Sequence, residues 1–325
     1  MATQLRLRSA KILVINLGAA GTEVVKNLVL GGINSLEILD DSSVVEDDFL
    51  SQFFLPNENV VGKLKLPLVI DRIKDLNNRV NLSINTHNIS ESILSEGYLS
   101  KFDLVIATEL KKDEMIQLNE VTRKLNIPLY VSGVHGMLGY IFTDLIKHES
   151  TSEKDLGNQP RETGTKLSPS KTITKVELNL TKDKELVTVS DEFVELQHFF
   201  VSKNLPTQLN RRQMKRLSAA FPLIFSLFEC KKEQLENMKT EEIVALLRDT
   251  SNRICDLFGI PQTVVTDLSI EAVLQQAYTE FTPSAAILGG ALAQDVIQFL
   301  SGKESPINNC LILDAFRSEI SIYVL

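Results

Sequence analysis

Short, continuous apolar runs alternate with helically spaced apolar positions along the first half of the chain. Residues 11–16 (KILVIN) predict a buried strand, which the glycine-containing turn at 18–21 breaks. Val24, Val25, Leu28 and Val29 then share one face of a helix over 22–30, and Gly31-Gly32 stops it. Residues 36–39 predict a second strand ending at Asp40. A helix over 64–76 and a strand at 80–84 come next. Residues 102–107 (FDLVIA) predict another buried strand, 115–125 an amphipathic helix, and 128–132 and 139–145 two further strands. Strands that are continuously rather than alternately apolar predict an α/β fold, with a mostly parallel sheet covered by helices on both faces.

The pattern changes after residue 148. From 149 to 170 the large apolar residues are Leu156 and Leu167, and 13 of the 22 positions are Ser, Thr, Gly, Pro, Asn or Gln. Such a stretch buries too little surface to offset its ordering entropy, so a flexible insertion is expected over 149–190. Within it, Val176, Leu178 and Leu180 alternate and 186–189 form a candidate hairpin partner. From Phe193 onward helices dominate: one over 211–228 with a basic start, one or two over 232–258, and one over 269–278. Residues 281–300 are apolar nearly all round and are expected to be buried on most faces. Strands at 311–314 and 320–325 end the chain. The organisation is therefore 1–148, a nucleotide-fold half; 149–190, the insertion; and 191–325, a helical segment with a helix–strand part that completes the first half.

The chain has 325 residues, 43% apolar and 23% charged, which excludes a fibre or wholesale disorder. With 34 basic against 42 acidic side chains the net charge is −8, so neither nucleic acid nor an anionic membrane surface is an expected partner. Three widely spaced cysteines (Cys230, Cys255, Cys310) form no disulfide framework and point to a reducing compartment. The uncharged apolar run at 285–293 is shorter than the roughly 20 residues of a membrane span. The first eight residues hold two arginines without an apolar core, so no secretory signal is expected.

The candidate chemistry begins at Asn16-Leu17-Gly18-Ala19-Ala20-Gly21, between a strand and a helix. Glycines there let a phosphate approach the unpaired N–H groups of the helix N-terminus. Asp40, 19 residues after Gly21, stands where a carboxylate accepts from ribose hydroxyls. Asn16 replaces the first glycine of G-x-G-x-x-G. On this half alone, an NAD-dependent oxidoreductase and a turn that binds nothing both remain open.

The later residues narrow the choice. Residues 36–41, 61–65 (VGKLK), 102–107, 281–297 (FTPSAAILGGALAQDVI) and 306–309 (PINN) followed by 311–314 resemble, in order, the adenylation-domain family of ubiquitin-like-modifier activating enzymes. Within it, 51–54 (SQFF), 122–131 (TRKLNIPLYV) and 212–216 (RQMKR) are similar to the smaller subunits of the SUMO-activating enzymes, fungal type. The resemblance implies a Rossmann-like adenylation domain and a heterodimer with a larger catalytic subunit. That subunit would bind ATP and Mg²⁺, activate a SUMO-type modifier and carry the thioester cysteine. It also implies a nuclear, and cytoplasmic, location. The rivals are a self-sufficient homodimeric adenylating enzyme, the regulatory subunit of another modifier-activating enzyme, and a non-enzymatic scaffold.

Carried over residue by residue, the resemblance assigns Gly18, Gly21, Asp40 and Lys65 to a nucleotide pocket. The departures imply that the pocket is a relict. The second acid after Asp40 falls on Ser42, Ser51 replaces the phosphate-binding arginine, and Thr108-Glu109 replace the metal-binding aspartate. Losing one preorganised charge costs about 10²–10³ in rate, so no catalytic residue and no metal ligand are expected in this chain. The cysteines sit in apolar contexts and read as packing residues. His87, His135, His148 and His198 have no zinc spacing. The basic cluster at 211–216 reads as a solvated face, with nuclear import as the alternative. The first residues match only the segment just past the family's opening helix, whose arginine reaches the partner's ATP; Arg6 and Arg8 are not aligned substitutes.

Overall fold

The computed structural model describes residues 7–56, 59–179, 181, 183–230, 232–235 and 237–325. In chain order, β1 (Lys11–Ile15), α1 (Ala19–Gly31), β2 (Ser35–Leu39), α2 (Lys65–Leu76), β3 (Asn81–Asn85), β4 (Leu104–Thr108), α3 (Lys112–Lys124), β5 (Leu129–His135) and β6 (Leu138–Asp144) track the apolar runs. They are succeeded by β7 (Lys147–Asp155), β8 (Lys171–Leu178), β9 (Lys184–Glu192), α4 (Ala220–Glu229), α5 (Thr240–Phe258), α6 (Asp267–Leu274), α7 (Thr282–Ser301), β10 (Cys310–Asp314) and β11 (Glu319–Tyr323).

Eight strands form one sheet in the order β11-β10-β6-β5-β4-β1-β2-β3. The pairs from β3 to β5 are parallel, with Ile12 opposite both Leu36 and Leu104. β6, β10 and β11 extend the sheet antiparallel. The period-two alternation of β1 splits its side chains between two cores. Leu13 and Ile15 join Val105, Val131, Met115, Phe225 and Phe258 on the face covered by α3, α4 and α5. Ile12 and Val14 join Ile38, Ile106, Val24, Leu28, Leu288 and Leu292 on the face covered by α1 and α7. Burial on both faces is why these strands read as unbroken apolar runs.

Three expectations are corrected. The insertion expected to be flexible contains a second sheet, β7-β9-β8, all antiparallel. Residues 149–155 lie in β7, where Ser150 faces Val189, and β8 and β9 form the hairpin, with Val176 opposite Val187. β7 is polar, yet it alternates: His148 and Ser150 are buried while Lys147 and Glu149 are exposed. Its Thr151 N–H donates to the Gly302 carbonyl at 3.0 Å, which fastens the strand to the end of α7. Leu180 lies outside the described residues, as does Arg6.

The helix expected over 211–228 is two, Arg211–Lys215 and α4. Ser218 interrupts it, because its Oγ accepts from Ala220 N–H at 3.0 Å and donates to Asp314 on β10. Finally, α7 buries one face rather than most. Ala285, Leu288, Leu292 and Val296 pack inward, whereas Ile287 is 46% exposed. At 20 residues α7 is long and apolar enough to cross a bilayer by length and composition. In this fold its inner face lies against α1, β5 and β6.

Candidate functional site

β1 delivers the chain to the C-terminal edge of the sheet, where residues 16–21 turn into α1. Asn16 adopts φ +69°, the left-handed region that asparagine tolerates better than most side chains. Its N–H donates to the Leu39 carbonyl at 2.8 Å, and its carbonyl accepts from Thr108 Oγ at 2.8 Å. Gly21 is dictated by close approach, since a Cβ there would lie 2.3 Å from the Asn16 carbonyl oxygen. Buried Gln52 donates through Nε2 to the Leu17 carbonyl at 3.1 Å and to Thr22 Oγ at 2.5 Å.

Gly18, Gly21, Asp40 and Lys65 are gathered at this edge, but their charges are already engaged. Asp40 is 1% exposed; Oδ2 accepts from Leu17 N–H at 2.8 Å and Oδ1 from Ser42 N–H at 2.7 Å. That carboxylate pins the turn to the end of β2. Lys65 is buried, its backbone N–H donates to the Ser42 carbonyl, and its Nζ sits 2.9 Å from Asp48 Oδ1. Buried Ser51 donates to Glu280 Oε2 at 3.4 Å. The same Oε2 accepts from Ala19 N–H at 2.5 Å, at the first turn of α1. Oε1 of Glu280 lies 2.6 Å from where a Cβ on Gly18 would stand.

Glu109 forms the back wall, with φ +55°. Its Oε1 accepts from Val134 N–H at 2.9 Å. Burial pushes its carboxyl well above the usual carboxylate range, and the negative charge of Glu280 adds to the shift. Each element that would attract a phosphate therefore faces a carboxylate of the same chain. Glu280 reaches the site from 261 residues beyond Ala19, so no local pattern announces it. Gln52, next to the departure at Ser51, and Thr108, part of the departure at 108–109, are visible in the sequence, but not as the side chains that hold the turn.

The remaining candidates lie elsewhere. The three cysteines are buried. Burial raises each thiol, Cys255 to about 11. Burial also lowers His135 to about 4, and its Nδ1 accepts from Tyr278 N–H at 3.3 Å. His148 is buried against Phe299, with ring centroids 4.9 Å apart, while His87 and His198 are exposed. No group of three acidic, histidine or cysteine side chains suited to a metal ion occurs among the described residues. Arg211, Arg212, Lys215 and Arg216 are exposed on and just beyond their short helix.

A mostly parallel sheet with a glycine turn at its C-terminal edge, an aspartate ending strand two and an antiparallel C-terminal extension defines a nucleotide-fold protein of the adenylating type. Residues 1–323 match the ThiF family model, and the chain belongs to the ThiF family. It is 38% identical to the DNA damage tolerance protein RHC31 of Saccharomyces cerevisiae, over 99% of this chain and 92% of that protein. The DNA damage tolerance protein rad31 of Schizosaccharomyces pombe is 28% identical over the same shares. Human SUMO-activating enzyme subunit 1 is 26% identical over 97% of this chain and 88% of its own length.

Proposed function

We propose that this chain is the non-catalytic, smaller subunit of a heterodimeric SUMO-activating enzyme, acting in the nucleus and cytoplasm. A larger partner subunit binds ATP and Mg²⁺, adenylates the modifier and carries the thioester cysteine. This chain completes the partner's fold. Similarity along nearly the whole length to SUMO-activating enzyme subunit 1 supports the pathway. The observation that carries the division of labour is the internal neutralisation of the nucleotide turn. Glu280 sits on the N-terminus of α1, and Asp48 sits on Lys65.

ATP does not fit this turn. A triphosphate would meet the Glu280 and Asp48 carboxylates where it needs positive charge, and Ser51 supplies none. A buried thiol pushed upward is likewise a poor nucleophile, because the thiolate is the reactive form. A large partner has an apolar landing surface at the same edge of the molecule. Leu50 is 76% exposed, and Phe49, Phe53, Phe281 and Ile287 are each 40–47% exposed. Thr282 Oγ donates to the Leu50 carbonyl at 2.9 Å, joining the start of α7 to the Asp48–Ser51 helix beneath this surface.

The test is modifier-dependent ATP–pyrophosphate exchange by the purified chain, by the large subunit, and by the two together. The chain alone should give none, and the two subunits should form a stoichiometric complex in which the modifier thioester forms on the partner. Robust exchange by the isolated chain would overturn the proposal.

A further inference from the structure

We infer that Glu280 is a built-in anion that holds the nucleotide turn of this chain closed by occupying the place of a phosphate. The inference rests on the proposed division of labour and deepens it by naming the residue that excludes phosphate here.

α1 is 13 residues long, with no acidic residue in its first turn and no side-chain cap at Gly18. Its N-terminus would therefore present unpaired N–H groups and a partial positive charge, a setting that favours an anion. Glu280 satisfies it through the 2.5 Å bond from Ala19 N–H. The absence of a side chain at Gly18 gives the carboxylate its room, with Oε1 only 2.6 Å from a hypothetical Cβ.

The segment carrying Glu280 is fastened on both sides. Upstream, the Tyr278 hydroxyl donates to the carbonyls of Leu227 and Cys230 at 2.9 and 2.7 Å, and Tyr278 N–H donates to His135. Downstream, Thr282 bonds to Leu50. Between these anchors the carboxylate has little freedom to leave the turn, and Ser51 donates to it from the opposite wall. The Lys65–Asp48 pair repeats the arrangement at a second cation of the same edge. A phosphate and the Glu280 carboxylate require the same N–H group and the same space, so they exclude one another.

The experiment titrates inorganic pyrophosphate into the full chain and its E280A and E280Q variants at constant ionic strength, read by calorimetry and by melting temperature. A carboxylate at a helix N-terminus is a sizeable local charge, so E280A should bind pyrophosphate about tenfold or more tightly than the unmutated chain. It should melt lower without the ligand and recover with it. E280Q keeps an accepting oxygen without the charge and should fall between the two. Should E280A fail to fold, E280Q carries the comparison. Equal affinity of the unmutated chain and the variants would overturn the inference, as would no saturable binding by either variant. These outcomes are separable from the functional reading, which fails only if the unmutated chain alone catalyses exchange.

Discussion

At Asn16 a single residue meets two demands, a left-handed backbone and a carbonyl aimed at Thr108. Glycine satisfies the first at least as well, whereas a β-branched side chain pays about 1–2 kcal/mol for that conformation. Asn16→Gly should therefore leave the urea midpoint nearly unchanged, and Asn16→Val should lower stability by about 1–2 kcal/mol. Equal midpoints for both variants would show that the turn relaxes. Read as letters, Asn16 is a degraded glycine fingerprint; as a conformation it is a near-equivalent, and only φ distinguishes the two. Asp295 makes a different residue-scale case. It is 4% exposed on α7; Oδ2 accepts from the Tyr130 hydroxyl at 2.8 Å and Oδ1 from Ile307 N–H at 2.9 Å. Burial pushes its carboxyl up to about 6, with those two bonds and Lys171 opposing. Because the folded state favours the protonated form, the contribution is fully present below the unfolded value near 4. It is lost as pH rises through about 6. Asp295→Asn should gain stability relative to the unmutated chain as pH rises from 4 to 8, by a ceiling of about 3 kcal/mol. Urea denaturation of both proteins at the two pH values measures it, and a pH-independent difference would contradict the assignment.

At the scale of elements, the parallel strands were legible because burial on both faces leaves no room for polar residues: β1, β4 and β5 read as strands without any partner being known. β7 was not, because its stability comes from backbone pairing to β9 and from two inward positions that are themselves polar, His148 and Ser150. This distinction is testable by deletion. Replacing residues 157–160 with two glycines shortens only an exposed part of the connection between β7 and β8, and loop-closure cost varies slowly with length. It should shift the melting temperature by about 1–2 °C at most. Deleting 150–170 instead removes most of β7, together with the Thr151–Gly302 bond. The β9 edge that held Val187 and Val189 opposite Ser152 and Ser150 is then left unpaired. The larger deletion should cost several degrees, read by scanning calorimetry. Equal melting temperatures for both deletions would mean that β7 contributes nothing beyond the loop. Glu280 is the corresponding case for the site: the turn and Asp40 were legible as one local unit, but the residue that occupies the turn comes from the crossover into α7. Only the folded chain brings them within 2.5 Å.

For the whole molecule, the C-terminal edge of the sheet carries two properties together. The nucleotide turn is internally neutralised, and beside it Leu50, Phe53, Phe281 and Ile287 leave apolar surface uncovered. Apolar side chains at this density next to an otherwise finished core are what a stable protein interface requires at its centre. Leu50 is the sharpest probe because it is 76% exposed, so the chain's own core does not depend on it. Leu50→Asp introduces a charge that must be desolvated on association, and a hot-spot residue near the centre of an interface is worth about 2 kcal/mol or more. Binding of the large subunit should weaken by about 30-fold, the equilibrium equivalent of that energy. The isolated chain should keep its melting temperature, since exposed substitutions usually lie within about 0.5 kcal/mol. Leu30→Asp is the matched control. Leu30 is 56% exposed at the opposite end of α1, and charge there should leave the complex intact. Titration of each variant against the large subunit, with circular dichroism melts of the free chains, separates the two effects. Full-strength binding by Leu50→Asp, or equal weakening by Leu30→Asp, would place the partner on another face of the fold.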